Sequence, residues 1–175
     1  MKKTFFIYFL ILCGFCGCGY TTSSLIYPER KIIIVPIVNK VDMTSEGKRF
    51  SGYTNYPVLM EKDLTNALIA KFNSDGNLDV VSNEIGALKI TCTITNYTKE
   101  ALRYTNTEDV QEQRLKLTVS TVLVDSTGTT VKTTDIVGQV DYYLTGPDMR
   151  TEKAAWIDLV KDAARRIVEF VVEQW

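Results

Sequence analysis

Two stretches of strict alternation constrain the fold of this 175-residue chain more than any other feature. Residues 88–95 alternate Leu, Ile, Cys and Ile with Lys and Thr, and residues 114–123 repeat the pattern with Arg, Lys, Thr and Ser against Leu and Val. A period of two places successive side chains on opposite faces of a strand. Each stretch therefore predicts a β-strand with one apolar face and one solvated face.

Shorter strands are predicted on either side of these two. The β-branched run RKIIIVPIV at 30–38 is typical of a strand buried on both faces, and Pro36 predicts an edge or a bend near its end. Residues 78–82 predict a short strand, and 131–143 predict a third long one after the turn DSTGT. Polar residues predict loops, one after the first strand and one from Thr98 to Asp109.

Two segments have helical periodicity. Apolar residues recur at steps of three and four in residues 56–72, with Pro57 in the first turn and a glycine after the end. A second helix is predicted to begin at Thr151 and Glu152. A sheet with one wet face must bury the other, so both helices pack there. The predicted fold class is α+β, a two-layer sandwich of a mixed four- to five-stranded sheet with two helices on one face.

The N-terminus has the order of a secretory signal. Two lysines follow Met1, and residues 4–15 are almost wholly apolar. This run is shorter than the roughly 20 apolar residues that a transmembrane helix needs. Three cysteines, Cys13, Cys16 and Cys18, lie at its end, and the chain has one more, Cys92.

The cysteine cluster could hold a metal, form a disulfide or carry lipid. A zinc site needs about four ligands, and the chain has no histidine and no second cysteine pair. Lipoprotein signal peptidases require a small residue before the cysteine, and only Cys18, after Gly17, meets that requirement. The sequence thus favours Cys18 as the acylated N-terminus of a bacterial lipoprotein. Cys92 is then a small apolar residue without a disulfide partner.

This interpretation divides the chain into a signal peptide at 1–17, a short tether at 18–29 and a single domain at 30–175. Gly19, where aspartate would favour retention in the inner membrane, favours the periplasmic face of the outer membrane. The tether of about 12 residues spans about 40 Å when extended.

Composition excludes some functions. Loss of Lys2 and Lys3 with the signal leaves 18 basic against 21 acidic side chains, a net charge of about −3, whereas nucleic-acid binding normally needs a basic surplus. No nucleophile elbow or P-loop motif occurs. We expect no enzymatic activity, no metal and no cofactor.

Five segments, in order and spacing, resemble the LptE family of outer-membrane lipopolysaccharide assembly lipoproteins. They are CGCGY at the lipidated end, KIIIVPIVNKV at 31–41, LMEKDLTNALIAKFNSDGNLDVV at 59–81, EDVQEQRLKLTVSTVLVD at 108–125 and the C-terminal TEKAAWIDLVKDAARRIVEFVVEQW. The resemblance implies a two-helix, four-strand sandwich. It also implies that the protein plugs a large outer-membrane barrel, LptD, helps that barrel fold, and aids delivery of lipopolysaccharide to the outer leaflet.

Two other classes have a similar order of elements. Lipoproteins that activate peptidoglycan synthases and those that build secretion pores also carry a strand, a V-P-x-x-N segment, a helix and a strand. A binder of small apolar ligands is a further alternative. The short tether favours a partner in the same membrane, because a partner across the periplasm would need a longer linker.

Two basic residues are candidates for lipopolysaccharide binding, since that lipid carries phosphates. Arg103 is predicted in the loop between two long strands, and Lys132 just past the DSTGT turn. In an antiparallel pair these positions lie at opposite ends. We therefore expect Arg103 and Lys132 to act separately.

Overall fold

The computed structural model describes residues 29–41, 59–83 and 85–173. The strands and helices, in chain order, are β1 (Lys31–Ile34), β2 (Val38–Asn39), α1 (Met60–Asp75), β3 (Asp79–Val80), β4 (Leu88–Tyr104), β5 (Val110–Val124), β6 (Thr130–Tyr143) and α2 (Glu152–Val172). The signal peptide, Cys18 and nearly all of the tether lie outside the described residues.

The strands form one mixed sheet in the order β3-β1-β4-β5-β6, with β2 also paired to β4. β1 is parallel to β3 and β4, while β4, β5 and β6 form an antiparallel meander. α2 packs on β5 and β6, and α1 packs on α2 and β3. The α+β fold with a mixed sheet is confirmed, with six strands in place of the four to five expected.

The extra strand arises at Pro36. A proline cannot donate to the ladder and breaks the pairing. β1 ends at Ile34, and β2 resumes at Val38 on the same partner, β4. The predicted run at 30–38 is therefore two short strands, and the effect of Pro36 is an interruption of the strand between Ile34 and Val38.

β4 is longer than its sequence pattern indicated. The predicted loop at Thr98–Asp109 is wrong, because β4 continues to Tyr104 and only residues 105–109 form the turn. A β-bulge at Thr95 adds one residue between Ile94 and Asn96. Alternation therefore shifts by one position there, which hides the second half of the strand from a search for a constant period of two.

α1 begins later and ends later than predicted. Its first residue is Met60, after Leu59 in a left-handed conformation with φ of 69°, and Pro57 lies outside the described residues. The helix extends to Asp75, and the hydroxyl of Ser74 donates to the carbonyl of Lys71 within the last turn. Gly76 ends it with a φ of 74°, donating its N–H to the carbonyl of Phe72, as the predicted glycine stop requires.

α2 begins as predicted. The Thr151 hydroxyl accepts a hydrogen bond from the Ala154 N–H at 3.2 Å and caps the helix. The helix lies very close to β6, since a Cβ added to Gly138 would be 2.8 Å from the Cβ of Ala163. The buried stripe facing the sheet consists of Ala155, Leu159, Val160, Ala163, Ala164, Ile167, Val168 and Val171.

Candidate functional site

The first described residue shows where the N-terminal segment meets the domain. The carboxylate of Glu29 accepts a hydrogen bond from the hydroxyl of Ser126 at 2.7 Å. Ser126 belongs to the turn between β5 and β6, in which the Asp125 N–H bonds to the Thr129 carbonyl. The chain therefore enters the domain at this end of the sheet, which we call the entry end.

Arg103 lies at the other end of the sheet, on β4 and not in a loop. Its side chain is 62% exposed, and its Nε is 3.6 Å from a carboxylate oxygen of Glu112. Leu102 and Tyr104 beside it are also exposed. Arg103 thus keeps most of its donors available to a ligand, next to apolar surface.

Lys132 has a structural partner that sequence reasoning did not anticipate. Its ammonium donates to the carbonyls of Phe170 and Glu173, at 3.0 and 2.9 Å, and lies 5.4 Å from the centre of the Phe170 ring. These carbonyls end α2, where a cation is favoured by the helix dipole. Burial lowers the pKa of Lys132, while the charge of Glu173 opposes that shift.

The structure separates the two basic residues, as predicted. Arg103 pairs with Glu112 on β5, whereas Lys132 pairs with Leu123, eleven residues further along the same strand. At about 3.4 Å per residue, that separation is roughly 37 Å. One phosphate cannot contact both residues.

The face of the sheet opposite the helices is uncovered by any described residue, and we call it the open face. The strand register places two ion pairs on it near the Arg103 end: Lys116 with Glu100 at 2.8 Å, and Arg114 with Asp141 at 2.6 Å. The hydrogen bond from Arg114 lowers the pKa of Asp141. Towards the entry end the face is rich in hydroxyls, from Thr91, Thr93, Thr118, Ser120 and Thr133.

Lys99 follows the bulge and faces the helices instead of the open face. It pairs with Leu115, its side chain is only 8% exposed, and its ammonium forms an ion pair with Glu152 in the first turn of α2. Nearby, the Tyr142 hydroxyl donates to Gln113 at 2.7 Å, and burial raises the pKa of Tyr142 to about 12. The ion pair of Lys99 with Glu152 links β4 to the start of α2, and the hydrogen bond of Tyr142 with Gln113 links β6 to β5.

A groove of about 350 Å³ runs between α1 and α2. Its lining is mostly apolar, with lysines at the rim, and comprises Asp63, Ala67, Lys153, Trp156, Ile157, Val160 and Lys161. The indole N–H of Trp156 is buried, and no described residue accepts a hydrogen bond from it. The volume is at the lower end of the range of about 300–1,000 Å³ for ligand sites.

Cys92 is buried in the core, as predicted. Its Sγ lies 3.9 Å from the Thr121 hydroxyl on the neighbouring strand. Burial raises the pKa of the thiol to about 11, partly offset by that contact. At neutral pH the side chain is a neutral thiol, which is the unreactive form.

Two features are absent from the described residues. No group of three or more His, Cys, Asp and Glu side chains within 29–41, 59–83 and 85–173 is arranged to hold a metal ion. Neither of the two helices described is long and apolar enough to cross a membrane.

The class that this fold and its surfaces define is a small α+β domain whose sheet has one polar face that none of the described residues covers. The family model LptE, described as lipopolysaccharide-assembly, matches residues 49–173. That match covers more than two thirds of the chain, so the chain belongs to the LptE family of lipopolysaccharide-assembly proteins. Among curated protein sequences, none matches this chain.

Solved structures share the fold at low identity. A protein from Xanthomonas campestris is 11% identical, with a TM-score of 0.55 over 82% of this chain and 84% of its own. An uncharacterized lipoprotein B from Nitrosomonas europaea is 14% identical, with a TM-score of 0.50 over 84% and 88%. The rare lipoprotein B from Shewanella oneidensis is 16% identical, with a TM-score of 0.47 over 79% and 92%. The first two support the α+β fold alone.

Proposed function

We propose that this protein is an outer-membrane lipoprotein that plugs a lipopolysaccharide-translocating β-barrel of the LptD type and assists its assembly. In this role it faces the periplasm and aids delivery of lipopolysaccharide to the outer leaflet. It works as a binding and assembly protein and not as an enzyme. The family match over residues 49–173 carries the proposal.

The open face supports a location inside a barrel. The lumen of a large outer-membrane barrel is polar and wet. A plug therefore needs polar side chains on a rigid surface, and the hydroxyls and ion pairs of the open face supply them. The helices cover the other face of the same sheet and keep it rigid.

Acylation of Cys18 is the anchor in this proposal. Several acyl chains hold a protein durably on a membrane, at about 0.8 kcal/mol per buried CH₂. Mass spectrometry of the membrane-extracted protein should find acyl chains on Cys18 as the N-terminal residue. An intact Met1, or a free thiol on Cys18, would contradict the anchor.

We also propose that Arg103 and Lys132 contact lipopolysaccharide, each separately. Arg103 is the better placed, since it is exposed and has a single long contact with Glu112. Arg103→Glu should weaken binding of purified lipopolysaccharide and leave the melting temperature unchanged. Lys132→Glu should weaken it too, but this variant also disturbs the end of α2. Unchanged binding in both variants would make them ordinary structural or surface residues.

The decisive test of the main function is recovery of the barrel. The full-length protein, tagged at its C-terminus, is purified in detergent from outer membranes of its native host. We expect a stoichiometric outer-membrane barrel of the LptD type. Recovery of a peptidoglycan synthase or of secretion-pore subunits in its place would refute the plug and favour one of the other two classes.

A further inference from the structure

Strand β6 forms one edge of the sheet. The contacts of β6 show which of its backbone groups point away from the sheet. The N–H of Gln139 donates to Asp162 of α2 at 3.0 Å, and the carbonyl of Tyr143 accepts from the Arg150 N–H at 2.9 Å. The N–H of Leu144, in contrast, donates to the carbonyl of Gln111 in β5. Backbone groups alternate between the two sides of a strand. Beyond a β-bulge at Val131, the odd-numbered residues of β6 from Thr133 to Tyr143 therefore direct their N–H and C=O groups away from β5.

The half of this edge near the Arg103 end is closed. The carboxylate of Asp162 accepts a hydrogen bond from the Gln139 N–H. It also accepts hydrogen bonds from Arg165 and Arg166, at 2.6 and 2.8 Å. The segment after β6 folds back, so that Met149 forms a bridge to Tyr143. No further strand can pair here without displacing these contacts.

The half of the edge near the entry end is open, and we call it the open edge. It presents the outward N–H and C=O groups of Thr133, Asp135 and Val137, and no described residue hydrogen-bonds to them. Their side chains are exposed, as is that of Val131, with Val131 at 40% and Val137 at 42%. Proteins usually block such an edge with a bulge, a proline or a cover. Among the described residues, a β-bulge at Val131 ends the open edge on one side and the contact of Asp162 with Gln139 ends it on the other.

Asp135 lies in the middle of the open edge and has no ionic partner among the described residues. Its row across the sheet continues with Ser120 and Thr93, which are neutral. A strand added beside β6 would place one of its own side chains directly opposite Asp135. Opposite charges in that position stabilise a pair of strands and like charges destabilise it.

We propose that the open edge binds an extended segment of the barrel partner, which adds to β6 as a further strand and places Lys or Arg opposite Asp135. This inference rests on the proposed function, since it names the partner. Strand addition of this kind draws its affinity from backbone hydrogen bonds and its specificity from alternate side chains. The exposed valines and the carboxylate of Asp135 would set that specificity.

A second copy of this chain fits the open edge less well. In the antiparallel register that pairs the two open edges in full, Thr133 meets Val137 of the other copy, and Asp135 meets Asp135. The two Asp135 side chains then lie directly opposite each other, with Cβ atoms about 4.5–5.5 Å apart. Their repulsion disfavours the homodimer and favours a partner that carries a basic residue.

The test is amide hydrogen exchange at residue resolution, with the full-length protein alone and in the co-purified barrel complex in the same detergent. In the complex, exchange at Thr133, Asp135 and Val137 should slow by at least about tenfold. The Gln139 amide is an internal control, because Asp162 already protects it in the free protein.

Three single substitutions test the same edge. Thr133→Pro removes an outward N–H but no ladder bond to β5, so it should cut recovery of the barrel at least about tenfold while the protein stays folded. Thr133→Val keeps the N–H and should recover the barrel normally. Asp135→Lys should also lower recovery, through repulsion of the basic residue opposite.

The outcomes separate the two proposals. A barrel that co-purifies while these three amides exchange as fast as in the free protein overturns the open edge and leaves the plug standing. Protection that rises with protein concentration without the barrel assigns the edge to a second copy and also overturns it. If no barrel co-purifies with the unaltered protein, both proposals fall.

Discussion

At the scale of single residues, Arg103 and Lys132 show what a position in the sequence can and cannot tell. Both were candidates because a cation near a turn suits an anionic lipid. The structure places Arg103 in solvent, whereas Lys132 faces the helices and closes the end of α2. Contacts over a separation of 38 and 41 residues are not visible in local patterning.

Replacement of Lys132 should destabilise the fold. Lys132→Met removes both hydrogen bonds to the α2 carbonyls and should lower the free energy of unfolding by about 1–2 kcal/mol, measured by urea denaturation. Lys116→Met is a matched control, because its exposed ion pair with Glu100 should matter by less than about 0.5 kcal/mol. Equal losses in the two variants would contradict the capping role.

Cys92 should act only through packing. Cys92→Ala should cost about 1–2 kcal/mol, from lost apolar burial and a small cavity, with barrel recovery unchanged. A thiol reagent should not label Cys92 in the native protein within minutes. Rapid labelling of the folded chain would count against its buried position.

At the scale of elements, the sequence predicted what has a constant period and missed what changes it. The alternating halves of β4 and β5, the cap of α2 and the glycine stop of α1 follow from local rules, and the structure confirms them. The bulge at Thr95 changes the period within β4, so local patterning wrongly predicts a loop for its second half. The packing of β6 against α2 depends on tertiary contacts. No local sequence pattern indicates that Asp162 accepts a hydrogen bond from the backbone at the edge of β6.

The close approach of α2 to β6 should depend on Gly138. Gly138→Ala places a Cβ 2.8 Å from that of Ala163 and 3.0 Å from its backbone N and Cα, so the helix must shift. We expect a loss of about 1–3 kcal/mol in unfolding free energy. Adding Ala163→Gly should recover part of it, giving a favourable coupling energy in a double-mutant cycle. Strict additivity would show that the two residues do not press on each other.

Asp162 should make stability depend on acid. Burial raises its pKa, but hydrogen bonds from the Gln139 N–H, Arg165 and Arg166 outweigh burial and leave the pKa below its ordinary value. A lowered carboxyl pKa stabilises the fold above the unfolded pKa of about 3.9 and loses that effect as pH falls further. Melting temperature should therefore fall between pH 5 and pH 3 less steeply in Asp162→Asn than in the unaltered protein. Parallel curves would refute this.

At the scale of the whole molecule, the sheet has two different ends. The N-terminal segment joins at the entry end, through Glu29 and Ser126, and Arg103 lies at the other. The 15 residues of β5 connect these ends, a length of about 50 Å. An anchor on Cys18 would thus hold the domain by one end, beside the open edge and far from Arg103.

Loss of the anchor should leave the domain folded and free. In cells that lack the barrel, Cys18→Ala should move the protein from the membrane fraction to the soluble periplasmic fraction, because the acyl chains are then what holds it on the membrane. Its melting temperature should match that of the acylated protein, since all the helices and strands described lie beyond residue 29. A variant that remains in membranes after high-salt washing, with the barrel absent, would contradict a lipid anchor.

The bulge at Thr95 has a further consequence, because it reverses which positions of β4, odd-numbered or even-numbered, face the helices. Before it, odd-numbered positions of β4 face solvent; after it, odd-numbered positions such as Tyr97 and Lys99 face the helices. The fold therefore requires a residue at 95 but not a threonine, since this side chain is exposed and makes one long hydrogen bond. Thr95→Ala should be tolerated, whereas deletion of Thr95 would turn Tyr97 outward and separate Lys99 from Glu152. Alignments that close this position as a gap would misassign every residue of β4 beyond it.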